Sequence, residues 1–294
     1  REPVVKPATN RWLVGARVRT LPAAVAPVAV GTAVGASEGP LRVWRAVAAL
    51  VVALALQAGV NYANDYQDGV RGTDRERVGP TRLVASGLAA PAQVRAAAFV
   101  SFTIAAAAGA ALAIAVSPWL LLVDAASIVA AWAYTGGPRP YGYAGLGEVF
   151  VFVFFGVVAT TGSAFVQHGR LSGLALACSV PLGLLAAALL AVNNVRDLPR
   201  DATAGKRTLA VRLGEVGARR FYAILVMGAL VCPLLIAIAR PRALIALVAA
   251  PLAVPPLRRV LSGGEGVTLV AALGETARLQ LVLAGALALG VWPR

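Results

Sequence analysis

Asn61-Tyr62-Ala63-Asn64-Asp65-Tyr66-Gln67-Asp68-Gly69-Val70-Arg71 closes a long apolar run, and a second polar stretch closes another one later in the chain. The second reads Asn193-Asn194-Val195-Arg196-Asp197-Leu198-Pro199-Arg200-Asp201, followed by Lys206 and Arg207. An aspartate at the centre of a membrane helix costs about 2.5–3.5 kcal/mol on insertion scales. Two aspartate clusters at the ends of apolar runs therefore need a physical reason. Binding of a divalent cation supplies one.

The runs these clusters terminate set the fold class. The chain has 294 residues, 59% of them hydrophobic and 14% charged, with a mean hydropathy of +0.77. A soluble domain cannot hide that much apolar surface. Stretches close to the ~20 residues that cross a bilayer recur near 18–36, 43–63, 93–116, 118–135, 149–166, 172–193, 219–239, 243–260 and 268–292. They are too long for soluble strands and lack the alternation of barrel strands. The expectation is one all-α polytopic membrane domain over 1–294 with nine transmembrane helices. Polar cap segments fall at about 64–92 and 194–218. No cleavable signal is expected.

Val60-Asn61-x-x-x-Asp65 aligns with Val192-Asn193-x-x-x-Asp197 at an offset of 132 residues, or four helices. That spacing predicts two four-helix repeats plus a ninth helix, around a central cavity open to the cytoplasmic side. Charge sets the orientation. The N-terminal segment and every second loop hold 21 of the 27 Lys and Arg residues. By the positive-inside rule the N-terminus and both clusters face the cytoplasm and the C-terminus lies outside, in a bacterial plasma membrane. The net charge of +14 is thus membrane topology, suited to lipid headgroups or an anionic substrate, and implies no nucleic acid. It leaves the oligomeric state open.

In a continuous helix Asn61, Asp65 and Asp68 fall at i, i+4 and i+7, and Asn193, Asp197 and Asp201 at i, i+4 and i+8. Each set shares one face. Two such faces opposite each other offer hard oxygen ligands, which suit Mg2+. No His or Cys partners the carboxylates, so zinc is disfavoured. Arg71, Arg82, Arg139, Arg196, Arg200, Lys206, Arg207 and Arg212 surround them. Metal-holding carboxylates ringed by cations describe a diphosphate site, and an apolar cavity beneath makes it a site for a lipid diphosphate.

Other polar residues read less sharply. Arg17 and Arg19 precede the first helix and suit either a reach into the site or, equally, a positive-inside anchor. The turn Tyr134-Thr135-Gly136-Gly137-Pro138-Arg139-Pro140-Tyr141-Gly142-Tyr143 is stiffened by Gly and Pro, and brings Arg139 and its tyrosines into consideration. Glu148 suits a helix N-terminus or a substrate contact. Asp124, inside a span, is expected to make a structural hydrogen bond. Cys178 and Cys232 read as packing residues, and His168 as inert.

Asn64-Asp65-Tyr66-Gln67-Asp68 and Asp197-Leu198-Pro199-Arg200-Asp201 resemble the two aspartate motifs of the UbiA superfamily of intramembrane prenyltransferases. Arg19-Thr20-Leu21-Pro22-Ala23, Asp74 at six residues after Asp68, Arg77 to Leu83, and Arg139 to Glu148 are similar to its menaquinone branch. The resemblance spans most of the chain. It implies Mg2+-dependent transfer, with two ions, of a polyprenyl group from polyprenyl diphosphate to 1,4-dihydroxy-2-naphthoate, with loss of the carboxylate. It assigns Asp65 and Asp68 to one metal and Asp197 and Asp201 to the other, with Asn64 and Asn193 in support. Arg71, Arg82, Arg139 and Lys206 are expected on the diphosphate. Arg19, Tyr134, Tyr141 and Glu148 are further substrate contacts, and Asp68 is the candidate to orient or deprotonate the ring hydroxyl.

Three other readings compete. A secondary transporter also has repeats and membrane-facing aspartates, but its polar residues belong at midplane. A CDP-alcohol phosphotransferase carries its aspartates in a single motif. Within the prenyltransferases, another aromatic acceptor such as 4-hydroxybenzoate is the nearest competing reading.

Overall fold

The computed structural model describes residues 10–72 and 81–293, with only the backbone of Arg19. Asp74 lies outside the described residues. Every regular element among them is helical. The order is α1 (Arg11–Ala16), α2 (Pro22–Glu38), α3 (Val43–Arg71), α4 (Pro91–Ala115), α5 (Trp119–Ala133), α6 (Gly147–His168), α7 (Gly173–Thr203), α8 (Leu209–Ile236), α9 (Pro241–Leu261) and α10 (Gly266–Val291). Seven of these, α3, α4 and α6 through α10, are long and apolar enough to cross a membrane. The chain is a multi-pass membrane protein.

Local sequence explains where the helices start and stop. Pro22 and Pro91 occupy first turns, where the missing N–H costs nothing. Ser172 and Thr208 cap α7 and α8 by accepting the amides of Ala175 and Val211. Gly72 ends α3 in the left-handed region, its N–H donating to Asp68 O and Gly69 O.

Two of these boundaries matter for the site. The apolar run ending at 63 continues as helix to Arg71, and the run ending at 193 continues to Thr203. At 1.5 Å per residue α3 is about 43 Å long, against about 30 Å of hydrocarbon. The surplus turns carry the polar clusters out of the apolar layer as rigid helix. The segments expected to be cap loops from 64 and 194 are therefore helical at their start.

The core lies where α10 packs against α2, α7 and α9, around Val30, Val34, Leu182, Leu185, Leu279, Leu283 and Leu287. Tyr222 in α8 is fully buried and pairs its hydroxyl with Thr276 Oγ1 of α10 at 2.7 Å. The helices α6 and α7 cross at two glycines. A Cβ on Gly156 would stand 2.4 Å from Cα of Gly183, so the backbones touch as in other small-residue membrane contacts. Gly156 sits in a π-helical stretch, Phe152–Val158, within α6.

At the end of the bundle away from the acids, Arg45 donates to the carbonyls of Val166, Gln167 and Ala115, fastening α3, α4 and α6 together. His168 there is tied to Gly35 O, and both cysteines are free thiols. The opposite end holds the two aspartate clusters, and they enclose a polar space.

Candidate active site

The surplus turns of α3 and α7 face each other across a polar chamber of about 90 Å3. From α3 it is lined by Asn64 and Asp68, and from α7 by Asn193, Asn194, Asp197, Arg200 and Asp201. Arg82 and the segment after α7, with Lys206 and Thr208, close two sides. Tyr134, Thr135 and Tyr143 from the turn after α5 close a third.

Lys206 joins the two banks. Its ammonium is 3.5 Å from Oδ1 of Asp68 and 3.7 Å from Oδ1 of Asp201. Asp68 also accepts a short hydrogen bond from the Tyr143 hydroxyl, and Arg82 stands 3.8 Å from its Oδ2. Asp197 accepts from Nε and Nη2 of its neighbour Arg196, each at 2.8 Å, and Arg196 Nη2 reaches on to Asn193 Oδ1 at 2.7 Å. Asn64 Oδ1 accepts from the Thr135 hydroxyl at 2.7 Å.

Beneath the chamber lies a larger cavity of about 300 Å3. Its walls are mainly apolar: Ala49, Val52, Ala53 and Leu56 from α3, Leu120 and Val123 from α5, Phe150, Phe154 and Phe155 from α6, and Ala186 and Leu189 from α7. Asp124 of α5 also lines it, and its buried Oδ1 lacks the hydrogen bond expected of it among the described residues. Arg17, Asn64, Tyr134 and Asn193 line both spaces. One polar threshold thus separates a charged compartment from a greasy one. An amphiphile with an anionic head and a hydrocarbon tail matches both halves.

Packing, not helical phase, sorts the first cluster. At about 100° per residue, Asn64 and Asp68 differ by about 40°, and both line the chamber. Asp65 stands only about 60° from Asp68, yet its carboxylate is taken up by a neighbouring segment. It is fully buried, and its oxygens accept the amides of Leu83 at 2.8 Å and Val84 at 3.1 Å. Asn61 turns to the α1–α2 junction, donating to Ala16 O and Thr20 Oγ1. The expectation of a shared face for Asn61, Asp65 and Asp68 therefore breaks into three destinations. In the second cluster Asn193, Asp197 and Asp201 all line the chamber, as expected of steps of four.

Several other expected contacts stand elsewhere. Arg71 donates to the carbonyls of Thr135 at 2.7 Å and Gly137 at 2.9 Å, which pins the turn after α5. Arg139 is exposed and outside the chamber lining. Glu148 is buried behind the chamber, accepting Asn194 Nδ2 at 2.9 Å. Its second oxygen has no partner among the described residues. Tyr141 lines the apolar cavity and donates to Ala130 O. The Arg19 side chain lies outside the described residues. Arg212 fastens the turn at Ala144 O and the 204–208 segment at Arg207 O.

The chamber also contains residues that the motifs did not single out. Arg17, weighed with Arg19 as an anchor, sits on the threshold with φ 52°, a left-handed conformation rare outside glycine. Gln57 lines the apolar cavity one turn before Asn61 and donates to Thr20 Oγ1. A lone glutamine in an apolar run was its available signal.

Burial pushes the phenols of Tyr134, Tyr141 and Tyr143 above the usual tyrosine value. For Tyr143 the Asp68 carboxylate adds to the rise and Arg71 opposes it. All three remain neutral hydrogen-bond donors at physiological pH.

The donor set suits a hard divalent cation. Carboxylate and amide oxygens of Asn64, Asp68, Asn193, Asp197 and Asp201 line the chamber, with no imidazole or thiolate among them. No three acidic, histidine or cysteine side chains form a ready-made metal cage among the described residues. Magnesium binds through one or two carboxylates with substrate phosphates, so the arrangement is sufficient. The ammonium between Asp68 and Asp201 shows that this point already favours positive charge.

A profile of the UbiA prenyltransferase family matches residues 24–264. The chain is 49% identical over 284 residues to the 1,4-dihydroxy-2-naphthoate octaprenyltransferase of Mycobacterium tuberculosis, covering 95% of this chain and 97% of that protein. Its fold is like that of the apo UbiA homolog from Aeropyrum pernix K1, with a TM-score of 0.73 at 15% identity over 92% of this chain and 97% of the other. A UbiA homolog from Archaeoglobus fulgidus bound to DMAPP and Mg2+ superposes with a TM-score of 0.65 at 16% identity, covering 95% and 99%.

Proposed function

The chain belongs to the UbiA prenyltransferase family, and we propose that it moves a polyprenyl group from polyprenyl diphosphate to 1,4-dihydroxy-2-naphthoate. The C1–O bond of the allylic diphosphate breaks and diphosphate leaves. The naphthoate ring carbon that bears the carboxylate takes the prenyl group, and the carboxylate departs as carbon dioxide while the electron pair of the broken C–C bond restores the aromatic ring. The product is demethylmenaquinone in its reduced form.

One observation carries the reading. A cation-lined acidic chamber opens across a polar threshold onto an apolar cavity, matching the head and tail of the donor. Name and identity of the M. tuberculosis relative support the acceptor.

Asp68, Asp197 and Asp201, with Asn64 and Asn193, would hold magnesium, two ions in our reading, at the diphosphate. Bound there, magnesium supplies charge neutralisation of the departing diphosphate. Arg82, Arg200 and Lys206 bind the remaining phosphate charge, a reading supported by their place in the chamber lining. Arg17 puts positive charge on the threshold, where diphosphate and acceptor meet. Tyr134 and Asn193 bound the place where the allylic carbon lies. The apolar walls below keep water from the allylic cation, which would otherwise become an alcohol. Asp68, one helical turn from Asn64, is our candidate to orient the ring hydroxyl.

We read the bundle as nine crossings in two four-helix repeats plus α10, with the shorter α2 and α5 among them. The N-terminus and the chamber face the cytoplasm of a bacterial cell, in its plasma membrane.

Purified protein in lipid, given a polyprenyl diphosphate and a panel of aromatic acids with and without magnesium, tests the reaction. A prenylated naphthoquinol formed only with magnesium is the expected product. Prenylation of 4-hydroxybenzoate alone would replace the acceptor, and no prenylated product at all would remove the proposal.

A further inference from the structure

The first aspartate of the first cluster does a different job from the other three. Asp65 is 0% exposed and is absent from the chamber lining. Its two oxygens accept two successive main-chain amides, Leu83 and Val84, from the segment that follows residue 81. Unlike Asp197, which also has both oxygens engaged but lines the chamber, Asp65 is fully buried and off the lining, so it is not placed to reach a cation there.

The residue just before those amides is Arg82, which does line the chamber and stands 3.8 Å from Asp68. Asp65 and Asp68 are three residues apart on the same helical turn. One turn of α3 thus fixes the backbone of a segment with one carboxylate and meets that segment's guanidinium with the other. A second contact supports the docking: a Cβ on Gly69 would lie 2.5 Å from Cγ1 of Val84, so glycine lets the segment close on the helix. Leu83 itself is fully buried, against Gly15 and beside Tyr62.

We propose that Asp65 is a positioning residue that holds the Leu83–Val84 backbone on α3 and so sets the Arg82 guanidinium at the diphosphate. This rests on the diphosphate reading of the chamber. It separates the two aspartates of the first motif into an anchor and a chamber ligand.

The test uses the full-length protein in detergent or lipid and inorganic diphosphate with magnesium as probe, so it needs neither acceptor nor turnover. Asp65→Asn keeps the shape but offers one oxygen to two amides. Loss of a charge-assisted contact of this kind corresponds to about tenfold or more in binding. Diphosphate binding is expected to weaken by that factor, with the magnesium requirement unchanged. Hydrogen exchange at the Leu83 and Val84 amides is expected to accelerate. In turnover assays KM for the prenyl diphosphate rises, whereas a mere loss of folded protein would lower kcat and leave KM alone. Because Asp65 acts through Arg82, the double variant with Arg82→Gln is expected to bind diphosphate no more weakly than Arg82→Gln alone.

Unchanged diphosphate binding overturns the proposal. So does a tenfold shift in magnesium requirement with parental exchange at residues 83 and 84, or multiplied losses in the double variant. If Asp65→Asn does not fold, replacing the Val84 amide by an ester removes one donor without touching a carboxylate. Parental diphosphate binding in that protein would be equally fatal.

Discussion

The ammonium of Lys206 lies 3.5 Å from the carboxylate of Asp68, 138 positions away in the chain, and bridges the ends of α3 and α7. Since Asp201 is 3.7 Å away on the other side, one lysine is shared by both acidic banks. Substituting Lys206→Met leaves two mostly buried carboxylates closer to bare, at a cost of about 2 kcal/mol. The melting temperature of the metal-free protein is expected to fall, and magnesium to recover more of it than in the parent. A melting curve equal to the parent's, or one indifferent to magnesium, would refute the bridge.

Asp68→Asn, Asp197→Ala and Asp201→Ala each remove a chamber carboxylate. Turnover is expected to drop by about a thousandfold in each, the scale of losing a metal-borne charge stabiliser. Circular dichroism should show parental helicity. Near-parental turnover in any of the three would strike that residue from the metal set.

Tyr134, Tyr141 and Tyr143 bear on alkaline stability. Their phenols are raised by burial above 10.0, so the unfolded chain ionises first as pH rises. The stability they contribute is full below pH 10.0 and is lost above it. Tyr143→Phe is expected to flatten that alkaline decline while weakening activity, because Asp68 loses its hydroxyl donor. An unaltered alkaline slope in denaturant titrations would count against the buried neutral phenol.

Arg17 combines a threshold position with a left-handed backbone. Arg17→Gly is expected to be more stable than Arg17→Gln by about 1 kcal/mol, since only glycine adopts φ 52° freely. Both variants lose the cation, so both should raise KM for the prenyl diphosphate. If the glycine variant works as well as the parent, the guanidinium has no part in binding.

Ala53→Phe places a ring in the apolar cavity. KM for a long polyprenyl diphosphate is expected to rise about tenfold, with binding of inorganic diphosphate and magnesium unchanged, because added bulk displaces tail contacts alone. Equal KM values for parent and variant would place the tail elsewhere.

Much of the site was legible because the second cluster steps in fours. Asn193, Asp197 and Asp201 advance by about 40° each, so any helix brings them to one side, and all three line the chamber. The first cluster is as tightly grouped on its helix, but packing gave Asp65 to the Leu83 and Val84 amides, which helical phase does not foretell. Cations were harder to read. Arg71, Arg82, Arg139 and Arg200 look alike in sequence, but Arg71 spends its guanidinium on Thr135 and Gly137 while Arg82 and Arg200 enter the chamber. An arginine reaches far enough to serve several partners, and only packing selects one.

From its amino acids alone, this protein was bound to be helical and membrane-embedded, because apolar runs of bilayer length leave the backbone no other way to satisfy its hydrogen bonds. The same amino acids placed acids and amides at the ends of two runs and made a diphosphate the natural partner. Tertiary structure decided which acid faces the chamber and which anchors a strand of backbone, which arginines touch the space, and where the polar threshold meets the apolar cavity. Those outcomes depend on distances between helices far apart in the chain, and a local pattern carries no information about what stands a few ångströms across a gap.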